Sequence, residues 1–211
     1  MVYRRHINKL YLRAFYRLAL TPTHMPHFLL QLDRQVFYFI NHTLTNPLFD
    51  GLMPWLRNPR FWIPVYVLII AFSVWKYKKP GVVLVVLLAL NVGVADFSSA
   101  TLIKNQVKRL RPCRDEVLAQ TITSRVSCGT GYSFPSTHAT DHFAMSVFLG
   151  LVYGRKWRWV WFWVLLWASL VCLAQVYVGV HYPIDVTAGA LFGACIGFIF
   201  ASLFKKLQPQ F

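Results

Sequence analysis

Five apolar stretches, at roughly 59–76, 81–104, 138–154, 157–178 and 184–205, each approach the ~20 residues that an α-helix needs to cross a bilayer. One long polar stretch, 105–136, separates the second from the third. In lipid every backbone N–H and C=O must be satisfied within the protein, and a helix does this inside a single segment. The chain is therefore expected to be all-α, a polytopic membrane bundle of about five transmembrane helices. Only 14% of its 211 residues are charged, against about 25% in an ordinary soluble domain.

Upstream of the spans, residues 28–57 mix apolar and polar side chains too finely to cross lipid. Asp33 and Arg34 interrupt the run, and Asn41, His42, Asn46, Pro47 and Asp50 break it up. This predicts one amphipathic interfacial helix followed by a turn. Residues 1–27 carry Arg4, Arg5, Lys9, Arg13 and Arg17 without an uninterrupted apolar core. They are read as a basic arm on the membrane surface, unless Met25 is the natural start. Residues 28–211 then form a single domain.

The net charge of +15 does not imply nucleic acid, because the basic residues form short clusters between apolar runs rather than one stripe. With five spans, Lys76, Lys78 and Lys79, then Arg155, Lys156 and Arg158, then Lys205 and Lys206 all fall on one side of the membrane. Basic loops favour the cytoplasmic side, which puts the polar stretch 105–136 outside. The basic N-terminal arm alone disagrees with this orientation. Gly189, Gly193 and Gly197 recur every four residues and offer a smooth face for close helix packing. Trp157, Trp159, Trp161 and Trp163 suit a membrane interface.

Three polar islands lie near the span ends on the outer side. Lys104 and Arg111 are seven residues apart, two helical turns, and would share a face if the helix runs that far, with Pro112 stopping it. Alone, such cations suit snorkelling to headgroups better than a phosphate site. Pro135-Ser136-Thr137-His138 reads as a helix start, where free N–H groups attract anions and Ser136 can add a hydroxyl. His181 and Asp185 are four apart across a helix start at Pro183. That spacing lets the carboxylate hold one ring nitrogen and leave the other free to attack, although such a pair can also be purely structural. Cys113 and Cys128 flank the polar stretch as either free thiols or a disulfide, according to whether the loop faces an oxidising compartment. Cys172 and Cys195 read as small core residues.

The order and spacing of the islands resemble the type 2 phosphatidic acid phosphatase (PAP2) superfamily, whose pattern is K-x6-R-P, then P-S-G-H, then S-R-x5-H-x3-D. It maps onto Lys104, Arg111 and Pro112, onto Pro135, Ser136 and His138, and onto His181 and Asp185. The resemblance implies a hydrolase that needs no metal and no cofactor. His181 is the implied nucleophile, oriented by Asp185 and forming a phosphohistidine, and His138 is the acid that protonates the leaving oxygen. Lys104, Arg111, Ser136, Thr137 and Gln175 are the implied phosphate-binding residues, with Asp96, Asp141 and His142 around them. The membrane lipid phosphatase branch, similar to bacterial undecaprenyl diphosphate phosphatases, implies a lipid phosphate substrate and an inner-membrane location with the site on the periplasmic face.

The chain departs from the pattern twice. Thr137 stands in place of Gly, and Ala174-Gln175 in place of Ser-Arg, so one phosphate-binding cation is missing. Lys108, Arg109, Arg114 or Arg125 are the candidates to supply it. A catalytically impaired phospholipid-binding protein and a lipid phosphotransferase are the alternative readings.

Overall fold

Once Asn46 and Pro47 are recognised as a helix start, the segment read as a turn becomes a second short helix. The Asn46 side chain accepts a hydrogen bond from Phe49 N at 2.9 Å, and Pro47 occupies the first helical position, where its missing N–H costs nothing. In the computed structural model, which describes residues 26–116, 118 and 120–211, helix α1 (His27–Tyr38) runs into a π turn, Phe39–Thr43, and α2 (Pro47–Leu56) follows. The basic arm up to Met25 lies outside the described residues.

All five apolar stretches are helical. A 3-10 turn, Pro59–Trp62, leads into α3 (Ile63–Tyr77); α4 (Lys79–Phe97) continues through a π turn, Ser98–Ile103, into α5 (Lys104–Val107). After the polar loop come α6 (Thr137–Tyr153), α7 (Trp159–Tyr177) and α8 (Pro183–Leu207). Among the described residues, four helical segments are long and apolar enough to cross a membrane: Pro59–Tyr77, Lys79–Arg114, Trp159–Tyr177 and Pro183–Leu207. Helix α6 is the fifth and innermost. It is buried along most of its 17 residues, so it carries polar groups that face other helices rather than lipid.

The glycine ladder fixes the α6–α8 contact. A Cβ on Gly193 would lie 2.1 Å from Thr140 O, and one on Gly197 2.4 Å from Ala144 O, so only hydrogen lets the two backbones meet. At one end of the bundle the basic loops converge. Lys76 Nζ lies 4.8 Å from the Trp157 ring, while Lys156 Nζ lies 4.6 Å from that of Tyr77 and 4.0 Å from that of Phe211. The three islands gather at the opposite end.

Candidate active site

Asp185 organises the third island. It is wholly buried at the start of α8, and each of its oxygens is occupied. Oδ1 accepts from Arg109 at 2.7 Å; Oδ2 accepts from Tyr182 N at 2.8 Å and from the Ser133 hydroxyl. Arg109 also donates to Asp33 of α1 at 2.5 Å and stacks 3.9 Å above the Tyr182 ring. Asp33 in turn accepts from Ile184 N at 2.8 Å. A buried guanidinium held between two buried carboxylates thus clamps α1 to the start of α8. In a medium of low dielectric, each of these charges requires the others.

His181 Nδ1 is 3.7 Å from Asp185 Oδ2, too far for a hydrogen bond, but only 3.3 Å from Ser133 Oγ. Ser133 has a single proton and gives it to the carboxylate, so its oxygen is left to accept from Nδ1–H. That tautomer leaves Nε2 unprotonated. Burial pulls the His181 imidazole down to about 4 against the opposing attraction of Asp185, so the ring is neutral at ordinary pH. The tight turn before it needs Gly179, whose φ of +86° lies in the left-handed region.

His181 opens onto a cavity of ≈ 910 Å³. Lys104, Arg111, Thr137, His138 and Gln175 line it as well, so all three islands meet there. Asp96, Asp141 and His142 stand in its wall. His142 Nδ1 donates to His138 O at 2.8 Å and its Nε2 lies 3.4 Å from the Tyr66 hydroxyl, which fixes the ring behind His138. Most of the remaining wall is apolar, with Ile69, Val85, Leu88, Val92 and Met145 among its residues.

Several expectations need correction. Helix α5 ends at Val107, where Lys108 adopts a left-handed conformation (φ 53°), so Lys104 and Arg111 do not share one continuous helix. Arg111 reaches the cavity from the loop instead, with its Nε donating to Gly131 O at 3.0 Å. A disulfide between Cys113 and Cys128 ties that loop segment to the one carrying Gly129, which also lines the cavity. Ser136 is wholly buried and acts as the α6 N-cap, accepting from Ala139 N at 3.5 Å. Thr137 rather than Ser136 lines the cavity, and its buried Oγ1 has no hydrogen-bond partner among the described residues.

None of the four cations considered for the missing charge lines the cavity. Arg109 is committed to Asp33 and Asp185, Arg125 to Asp50 and the Tyr177 carbonyl, and exposed Arg114 to Thr130 O; Lys108 points to solvent. The cations that do line it are Lys104, Arg111 and Arg57, and none of the three forms an ion pair among the described residues. Sequence reasoning missed Arg57, Ser133 and Asp33. Only Asp33 gave a signal, as one of just seven acidic residues in the chain and one set within an apolar run.

A helical membrane protein with unpaired cations, a buried Ser-linked His–Asp pair and a second histidine around one cavity is equipped to handle a phosphate. Residues 80–209 match the PAP2 superfamily, and the chain belongs to it. It is 31% identical over 189 residues to the lipid A 4'-phosphatase of Bacteroides thetaiotaomicron, covering 88% of this chain and 83% of that protein. It is 32% identical over 168 residues to the undecaprenyl-diphosphatase of Sulfolobus acidocaldarius, covering 78% and 75%. Its fold matches the crystal structure of a transmembrane PAP2-type phosphatidylglycerolphosphate phosphatase from Bacillus subtilis. That match has a TM-score of 0.70 and 18% identity, and covers 94% of this chain and 97% of that one. The protein is a hydrolase of the PAP2 membrane lipid phosphatase class.

Proposed function

We propose that this protein hydrolyses a lipid phosphate or diphosphate through a phosphohistidine at His181. The observation that carries the reading is the composition of one cavity, with a nucleophile, an acid and unpaired cations at its polar end and apolar side chains along the rest. A soluble phosphate ester would have no use for that apolar wall, whereas a lipid tail would.

Nε2 of His181 attacks phosphorus in line; the P–N bond forms as the bond to the leaving oxygen breaks, and His138 delivers a proton to that oxygen. Water then attacks phosphorus, His138 takes its proton, and the P–N bond breaks to release phosphate and restore His181. Asp185, acting through Ser133, keeps the proton on Nδ1 and stabilises the charge that develops on the ring. Lys104 and Arg111 neutralise the phosphoryl oxygens.

The names of the relatives point to two lipid classes, lipid A phosphate and undecaprenyl diphosphate. Converging basic loops at one end of the bundle and a disulfide at the other support an inner-membrane orientation with the site on the periplasmic side. The test is phosphate release by purified protein from lipid A, undecaprenyl diphosphate, phosphatidylglycerophosphate and phosphatidate in mixed micelles. Release from at least one of them, lost in His181→Ala, is expected. Tight binding without release by the parent protein would identify a lipid-binding protein instead, and transfer of phosphate to an added lipid would identify a phosphotransferase.

A further inference from the structure

Gln175 stands where the superfamily pattern carries Arg, and the structure brings a different arginine to it. Arg57, at the end of α2, approaches with its Nε 3.4 Å from Gln175 Oε1. The two are 118 residues apart in sequence and line the same cavity as Lys104, Arg111, His138 and His181. Gln175 is wholly buried, and its Nε2 has no partner among the described residues. Arg57 forms no ion pair among them either, and its two terminal nitrogens have no protein acceptor there.

The corner that carries Arg57 is rigidly held. Trp62 Nε1 donates to Leu56 O at 2.7 Å, and the Trp62 ring packs against Trp167 of α7, 5.6 Å between centroids. The helix that carries Gln175 therefore also fixes the turn that carries Arg57. A half-buried guanidinium without a carboxylate, beside two further unpaired cations, needs an anion to offset the self-repulsion of the cluster.

We propose that Arg57 is a phosphate-binding residue that replaces, from another helix, the cation absent at position 175, with Gln175 as its positioning residue. This rests on the phosphatase reading, and it explains how the site keeps three cations despite the change. Gln175 accepts from Nε and so leaves the outer fork of the guanidinium for two phosphoryl oxygens.

The experiment compares orthovanadate affinity, kcat/KM on the lipid panel and Tm for the parent, Arg57→Gln, Arg57→Lys, Gln175→Arg and the double variant Arg57→Gln/Gln175→Arg, with His181→Ala as the control for activity. Arg57→Gln should weaken vanadate binding and kcat/KM about ten- to a hundredfold, the loss of one charge-assisted contact. Arg57→Lys should recover part of it. Gln175→Arg alone should lower activity by setting two guanidinium groups side by side, whereas the double variant should recover most of the parent affinity. Vanadate affinity and kcat/KM within about twofold of parent in Arg57→Gln, with His181→Ala inactive, would overturn the role of Arg57 and leave the phosphatase reading standing. A loss that neither Arg57→Lys nor the double variant recovers, accompanied by a lowered Tm, would make Arg57 structural and overturn it too. Arg57-dependent vanadate binding by a parent that releases no phosphate would uphold Arg57 as an anion ligand and overturn the phosphatase reading.

Discussion

Ser133 Oγ lies 3.3 Å from His181 Nδ1 while donating to the carboxylate of Asp185, so a serine links the histidine to the acid across a 3.7 Å gap. The tautomer of His181 is thereby set at second hand. Removing the hydroxyl leaves Nδ1–H facing a carboxylate that it does not reach and frees the ring to tilt.

Ser133→Ala is accordingly expected to lower kcat by about tenfold, the scale of one hydrogen bond to a charged group, with a smaller effect on vanadate affinity. Steady-state kinetics and vanadate inhibition measured together separate the two. An unchanged kcat would mean that Asp185 orients His181 without Ser133.

Arg109 is expected to matter for folding rather than for phosphate binding. Arg109→Ala strands the buried carboxylates of Asp33 and Asp185, and breaking such a network costs about 3–5 kcal/mol. Thermal unfolding in detergent should show a large drop in Tm. A variant of normal stability with weakened vanadate binding would return Arg109 to the phosphate site.

The buried His181 also makes stability depend on pH. Its imidazole is held down to about 4 in the folded protein, against an ordinary value of 6.5. Above 6.5 the ring is neutral both folded and unfolded and contributes no pH dependence. As pH falls from 6.5 towards 4, the unfolded chain takes up a proton that the native state refuses, and stability is lost. Tm measured from pH 8 to pH 4 should fall less steeply in His181→Gln than in the parent. Parallel curves would mean that His181 takes up its proton as readily in the native protein as in the unfolded chain.

The spans and the islands were legible because lipid imposes a length and the chemistry imposes a spacing. Gly189, Gly193 and Gly197 were legible as a packing face for the same kind of reason: a repeat of four maps directly onto one side of a helix. The residues that escaped are joined across long separations. Arg57 meets Gln175 118 residues away, and Arg109 meets Asp33 and Asp185, each 76 residues away. No local period encodes those meetings; they are set by how α1, α2 and α7 pack. Reading 28–57 as a helix and a turn hid Arg57, since a basic residue in a loop beside a membrane looks like a headgroup contact. Ser136 and Thr137, both expected at the phosphate, differ in placement because adjacent positions at a helix start face different ways. The first caps the helix and the second is among the residues that line the cavity.

The central claim is that the phosphoryl group passes through His181. Rapid acid-free quenching of the purified protein during turnover of a ³²P-labelled lipid substrate, followed by peptide mapping, tests it directly. An acid-labile, base-stable phosphate on the peptide containing His181, absent in His181→Ala along with all phosphate release, is the expected result. Undiminished phosphate release by a correctly folded His181→Ala protein would contradict it.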